Sequence, residues 1–219
     1  MRITKYGHCC LLIDIGGVRF LTDPGAFGPE SILKEKVEDL DAILITHEHA
    51  DHLHVDSLKE VLKNNSNAKV VTNPSVGTIL EKEGIEYHSV ADGDSIDIKG
   101  ILVEGMGTKH AIIYQDMGQV ENTGYFLNGG DKQGLFYPGD ALHLPGKPVD
   151  ILALPVAGPW MKIGEAVDYA LAVRPRVAFP VHDGPNAGWG MFAQWIMPTF
   201  LPKEGIQFIT IEIGKTQEL

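Results

Sequence analysis

Residues 41–52 read DAILITHEHADH. A continuous apolar run of strand length, the pattern of a strand buried on both faces, stops at Thr46. The six residues that follow carry three histidines and two carboxylates. This junction constrains the fold, because a buried strand delivers its last residues to the edge of a sheet. Alternate residues of an extended segment point the same way, so His47 and His49 can reach one ion. Asp51 and His52 fall where the chain bends toward the next helix, facing a second ion or an acid/base position. Imidazole nitrogens with carboxylate oxygens suit zinc, iron or manganese, and no soft thiolate site is expected. HEHAD is not the helical H-E-x-x-H pattern, since position 51 is aspartate. The chain also lacks a G-x-S-x-G nucleophile turn, a phosphate-binding P-loop and a G-x-G-x-x-G fingerprint.

Around this junction the chain reads as short strands alternating with helices. CCLLIDI and VRFLTD, separated by Gly16-Gly17, predict a hairpin. DSLKEVLKNN spaces Leu58, Val61 and Leu62 as one helix face, with Asp56 as the expected N-cap. AKVVT is a strand, and NPSVGTILEKEG predicts a helix capped by Asn73, opened by Pro74 and closed by Gly84. Strands follow at DSIDIKG, ILVEGM, TGYFLN, GLFYPGD and DILALPV. A helix is expected at GEAVDYALAV, a strand at RVAFPVH, a helix near MFAQWI and a last strand at IQFITIEI. The halves resemble each other: GVRFLTDPG parallels QGLFYPGDA, LDAILITH parallels VDILALPV, and AKVVTN parallels PRVAFPVH. No Gly/Pro/Ser-rich linker divides them, so residues 1–219 are expected as a single domain of two ββαβ-like halves.

Composition narrows the function. Lysine and arginine number 18 against 29 acidic residues, a net charge of −11 with no basic run. That argues against nucleic acid or an anionic membrane as partner. No stretch approaches the ~18 apolar residues of a membrane span, and Asp14 interrupts the first apolar run too early for a signal peptide, which makes the cytoplasm the expected location. The only cysteines, Cys9 and Cys10, are adjacent and read as two reduced thiols in a strand, one facing the core.

An H-x-H-x-D-H motif after a buried strand, inside a duplicated chain of this length, resembles the metallo-β-lactamase superfamily. The resemblance implies an α/β (α+β) four-layered αββα sandwich with a metal site at one edge. It also implies later ligands, and the sequence supplies them in order: His110 in MGTKH, Asp140 in LFYPGD and His182 in AFPVH. By this resemblance His47, His49 and His110 hold one ion, Asp51, His52 and His182 the other, and Asp140 lies between. Among superfamily members the chain looks most like the group that includes ascorbate-6-phosphate lactonase, through GHCCLLID, LTDP, NTGYFL, YPGD and PVHDG. It departs from that group at Ala141, usually threonine, and at Trp160-Met161, often Thr-Met.

The implied chemistry is hydrolysis. Two divalent ions, zinc first with manganese or iron as alternatives, share a water and lower its pKa from near 16 toward ~7. The bridging hydroxide attacks a carbonyl or phosphoryl centre of a small anionic substrate, a lactone or phosphoester, with Asp51 and His182 as catalytic residues. The alternatives are a mononuclear iron oxygenase acting on sulfur compounds and a metal-binding protein without catalysis. His8 and Asp23 are candidates for positions behind the ligands or beside the substrate. His54 is a weaker one, and His88 and His143 read as incidental. Lys109 and Lys162 are candidate phosphate grips. Trp160, Met161, Trp189, Met191, Phe192 and Trp195 are candidate pocket walls, or else packing or the face of a homo-oligomer.

Overall fold

The computed structural model describes residues 1–27, 36–115, 117, 119–130, 134–184 and 187–219, the side chains of 187–193 excepted. Two seven-stranded sheets carry the chain. The first holds β1 (Arg2–Lys5), β2 (Leu11–Ile15), β3 (Val18–Thr22), β4 (Ala42–Ile45), β5 (Lys69–Thr72) and β6 (His88–Ser89), with β14 (Thr216–Glu218) beside β1. The second holds β8 (Ile101–Met106), β9 (Gly124–Asn128), β10 (Gly134–Tyr137), β11 (Ile151–Pro155), β12 (Val177–Val181) and β13 (Gln207–Phe208), with β7 (Ser95–Ile98) beside β8. Strands β1–β3 pair antiparallel and β3–β6 parallel, and β8–β10 and β10–β13 repeat that order and those directions. The duplication legible in the sequence is therefore a duplication of topology.

Side-chain alternation builds the layers. In β4, Ala42 and Leu44 face the space between the sheets, while Ile43 and Ile45 face outward. In β11, Ile151 and Ala153 face inward and Leu152 and Leu154 outward. Both faces are apolar because both are covered, as parallel strands require. Helices α1 (Val55–Asn64) and α2 (Pro74–Lys82) cover the first sheet through Leu58, Val61, Val76 and Leu80. Helices α3 (Ile163–Val173) and α4 (Ala187–Phe200) flank the second, with Ala166, Tyr169 and Met197 packed on it. The result is the expected αββα sandwich.

Local expectations fared unevenly. Gly16 and Gly17 adopt φ of 61° and 91°, which the hairpin turn between β2 and β3 demands. Asn73 caps α2 by accepting from Val76 N at 3.0 Å, and Gly84 follows its end at φ 67°. Asp56 is not the cap of α1: it lies in the first turn, and His54 occupies the N-cap. Cys9 and Cys10 precede β2 instead of lying in it, and both are buried, in different core layers. The strand expected at IQFITIEI is confined to Gln207–Phe208, and the chain runs on to β14, whose residues pair with β1 across almost the whole sequence.

Candidate metal centre

Parallel pairing points β3, β4 and β5 the same way, and likewise β10, β11 and β12, so the loops after them gather at one edge of the sandwich. Asp23 follows β3 and the 47–52 loop follows β4, while Asp140 follows β10 and His182 follows β12. His110 arrives from the segment after β8, and His8 from the turn between β1 and β2.

These side chains converge in two groups. His47, His49 and His110 offer ligand atoms all within 4.8 Å of one another, and so do His8, Asp51, His52 and His182. Asp140 stands between the groups. Its Oδ1 lies 3.1 Å from His52 Nε2, and its Oδ2 lies 2.9 Å from His182 Nε2 and 3.3 Å from His110 Nε2. Every residue that the resemblance assigns to a metal thus reaches one site. Glu48, the other carboxylate of the cluster, turns away and accepts from Ser75 Oγ at 2.6 Å.

The donors fit a cation. Among the described residues, the buried side-chain polar atoms without a hydrogen-bond partner are Thr123 Oγ1 and five from this site: His47 Nε2, His52 Nε2, His110 Nε2, His182 Nε2 and Asp140 Oδ1. Orphaned buried polar atoms are costly, and an ion held among these five would satisfy them together.

The ring nitrogens turned away from the centre fix the tautomers. Thr46 Oγ1 donates its single proton to Asp23 at 2.8 Å, so it accepts from His47 Nδ1 at 3.0 Å. His52 Nδ1 donates to Asp23 Oδ2 at 2.7 Å, and His110 Nδ1 donates to the Ala111 carbonyl at 2.5 Å. Each arrangement leaves the Nε2 lone pair free toward the centre, as metal-ligating histidines need. Asp23 is fully buried and also accepts from the Thr46 backbone N–H at 2.8 Å and the Tyr137 hydroxyl. Asp23 also shapes the turn after β3: it has φ 36° and its carbonyl accepts from Gly25 N.

His8 sits behind Asp51. Its Nδ1 accepts from Gly184 N at 3.0 Å, which leaves the ring proton on Nε2 to meet Asp51 Oδ2 at 3.2 Å. A Cβ on Gly184 would come within 2.7 Å of His8, so the glycine permits this approach. His182 adopts a left-handed φ of 56°, held by its N–H donating to the His8 carbonyl.

Electrostatics follow from crowding. Burial, then the neighbouring His52, hold His47 well below the usual imidazole range, keeping it neutral and able to ligate. Burial also works against a proton on His182, but the Asp140 and Asp51 carboxylates outweigh it and push His182 up to about 10. His52 is raised by the same contest between burial and Asp140.

Several contributors escaped sequence reasoning. Trp160 does not line the cavity: its indole N–H donates to Asp140 Oδ2 at 3.1 Å. Asn122 accepts from Asp140 N and donates to the Pro138 carbonyl, holding the turn at Gly139, where φ is 63°. Lys5 is buried, bonding the Pro180 carbonyl at 2.9 Å and the Asp183 carboxylate, and so anchors the segment bearing His182. The Cys9 sulfur lies with His52 and Asp140 ligand atoms inside 4.8 Å, a single sulfur beside a set of imidazoles and carboxylates. His54 bonds Ser57 instead of a ligand, and Trp195 is exposed. Trp189, Met191 and Phe192 have side chains outside the described residues. No helix among the described residues is long and apolar enough to cross a membrane.

Comparison with known proteins agrees with this geometry. Residues 2–182 match the model of the β-lactamase superfamily domain. A Mycobacterium tuberculosis protein, "Protein Rv0786c", is 40% identical over 183 residues, 83% of this chain and 84% of its own. A UPF0173 metal-dependent hydrolase of Thermoplasma acidophilum is 30% identical over 191 residues, 83% of each chain. Among solved structures, the metallo hydrolase Igni18 of Ignicoccus hospitalis superposes with a TM-score of 0.76 at 19% identity, covering 100% of this chain and 98% of that one. Its likeness concerns the fold alone. The chain belongs to the metallo-β-lactamase superfamily. Within it, the chain groups with the metal-dependent hydrolases and carries the His/Asp groups such an enzyme needs.

Proposed function

We propose that the protein hydrolyses a small molecule with two divalent ions, zinc being the first expectation. His47, His49 and His110 would hold one, Asp51, His52 and His182 the other, and Asp140 would serve both. The five orphaned Nε2 and Oδ1 atoms carry this reading. A single ion held by His47, His49 and His110 alone would leave His52 and His182 unsatisfied. When bound, such ions supply Lewis acidity and a water of lowered pKa. The chain's own residues do the rest. Asp51 and His182 line a cavity beside the centre, so they can touch substrate as well as ion. Asp51 is partly exposed there and can take the proton a reacting water gives up or pass one to a leaving oxygen. Asp23, Thr46 and the Ala111 carbonyl hold the imidazoles in their ligating tautomers.

The test is alanine at Asp140 and, separately, at His182. Each variant is expected to lose most hydrolysis of a generic ester or phosphodiester together with bound metal. Full activity with a full metal complement in both would refute the assignment.

A further inference from the structure

We propose that the cavity beside the metal centre receives an uncharged aliphatic arm, making the substrate a carboxylic ester or lactone with a neutral acyl chain. This rests on the hydrolase reading above and departs from the anionic substrate expected of the sequence. The cavity measures about 500 Å³, a volume suited to a small molecule. Its lining includes His8, Asp51 and His182, so it opens onto the second group of donors. Its walls are Phe27, Val156, Pro159, Met161 and Ile163 with intervening small residues.

No lysine or arginine lines it among the described residues. Lys109 and Lys162, the candidate phosphate grips, are exposed and outside the lining. Lys5 is buried but already committed to Asp183 and the Pro180 carbonyl. Among the described residues of the lining, a phosphate or carboxylate on the arm would give up its water without gaining a cationic partner, whereas an alkyl chain gains by leaving water. The same reasoning favours a carbonyl over a phosphoryl centre. A carbonyl develops charge on one oxygen, while a phosphodiester brings a standing negative charge, shared over two non-bridging oxygens, to a lining without lysine or arginine among the described residues. In the reaction the water oxygen bonds to the acyl carbon and the acyl C–O bond breaks. One water proton goes to the leaving alcohol oxygen, and the other leaves as the product ionises to a carboxylate.

The experiment uses the full chain with its metal. Hydrolysis of p-nitrophenyl acetate, butyrate and hexanoate is compared with a carboxylate-tailed ester of hexanoate length and with bis(p-nitrophenyl) phosphate. Binding of acetate and hexanoate as product acids is measured by calorimetry alongside. Burying a methylene corresponds to a factor of up to about four, so kcat/KM is expected to rise about two- to fourfold per methylene. Hexanoate should bind at least tenfold more tightly than acetate, and the charged-tail ester should fall at least tenfold below its neutral match. Met161→Ala and Ile163→Ser, with metal content intact, should lower the hexanoate-to-acetate ratio of kcat/KM. A flat chain-length profile with equal binding of the two acids overturns the proposal. So does a preference for the phosphodiester or charged ester, in which case the hydrolase reading survives. Absence of both bound metal and turnover overturns that reading and the proposal with it.

Discussion

Asp23 offers the sharpest test of how the centre is held, because nothing it does is visible from the ligands alone. Four donors aim at its fully buried carboxylate: Thr46 N at 2.8 Å, Thr46 Oγ1 at 2.8 Å, His52 Nδ1 at 2.7 Å and the Tyr137 hydroxyl. A carboxylate accepts from all four, but the Asn side chain in Asp23→Asn has one acceptor oxygen and two new N–H donors. Turned the less harmful way, its amide faces the Thr46 N–H and leaves it unpaired, at about 1–3 kcal/mol. The other three contacts lose charge assistance, about 1 kcal/mol each before the two hydroxyls rotate to recover part of it. The net loss is about 2–5 kcal/mol, or roughly 4–20 °C in melting temperature for a chain of this length. His52 loses its enforced tautomer as well, which should weaken metal binding about 10–100-fold. Urea unfolding and chelator competition on the same preparation read both effects. Wild-type melting together with wild-type metal affinity would refute the claim that Asp23 holds His52 for the ion.

Three further predictions concern the same centre. Trp160→Phe removes the indole donor from Asp140 and should weaken metal affinity about tenfold while the fold persists, checked by chelator competition and circular dichroism. Removing metal with a chelator should cost about 4 kcal/mol when the free ion had stood at a thousand times its Kd, seen as a melting shift of about 8–16 °C reversed by zinc. His182 is raised to about 10 in the metal-free protein, so at pH 7 it holds a proton that the ion must displace. Metal affinity should therefore rise with pH below that value, and calorimetry in buffers of different ionisation enthalpy should record proton release; pH-independent affinity would contradict it.

The sandwich was legible because buried parallel strands announce themselves. AILI (42–45) and ILAL (151–154) are apolar at every position, and their repetition in the two halves matched the repeated strand order of the sheets. Of the candidate ligands, the 47–52 cluster stood out at the end of its strand, whereas His110, Asp140 and His182 came from the order that the resemblance implies, and the structure brings their side chains close to that cluster. What escaped depends on contacts between distant residues. Asp23 meets His52 across 29 positions and Lys5 meets Asp183 across 178, and neither pairing leaves a local pattern. Trp160 looked like a pocket wall because tryptophan usually supplies area, yet here its N–H toward Asp140 decides its place. The IQFITIEI run has strong strand propensity, but it forms a strand only at Gln207–Phe208, beside β12, with Ile213 making no more than an isolated bridge to Lys5, so pairing overrode propensity. His54 took the N-cap from Asp56 because the chain enters α1 two residues earlier than the apolar spacing suggested.

The central claim is that two groups of donors joined by Asp140 bind two ions. The direct measurement is metal content by plasma mass spectrometry on untagged protein purified without chelator, with His110→Ala and His182→Ala beside it. The account predicts close to two divalent ions per chain, and a reduced complement when either group loses its histidine. One ion per chain that survives His182→Ala unchanged, or no bound metal at all, would contradict it.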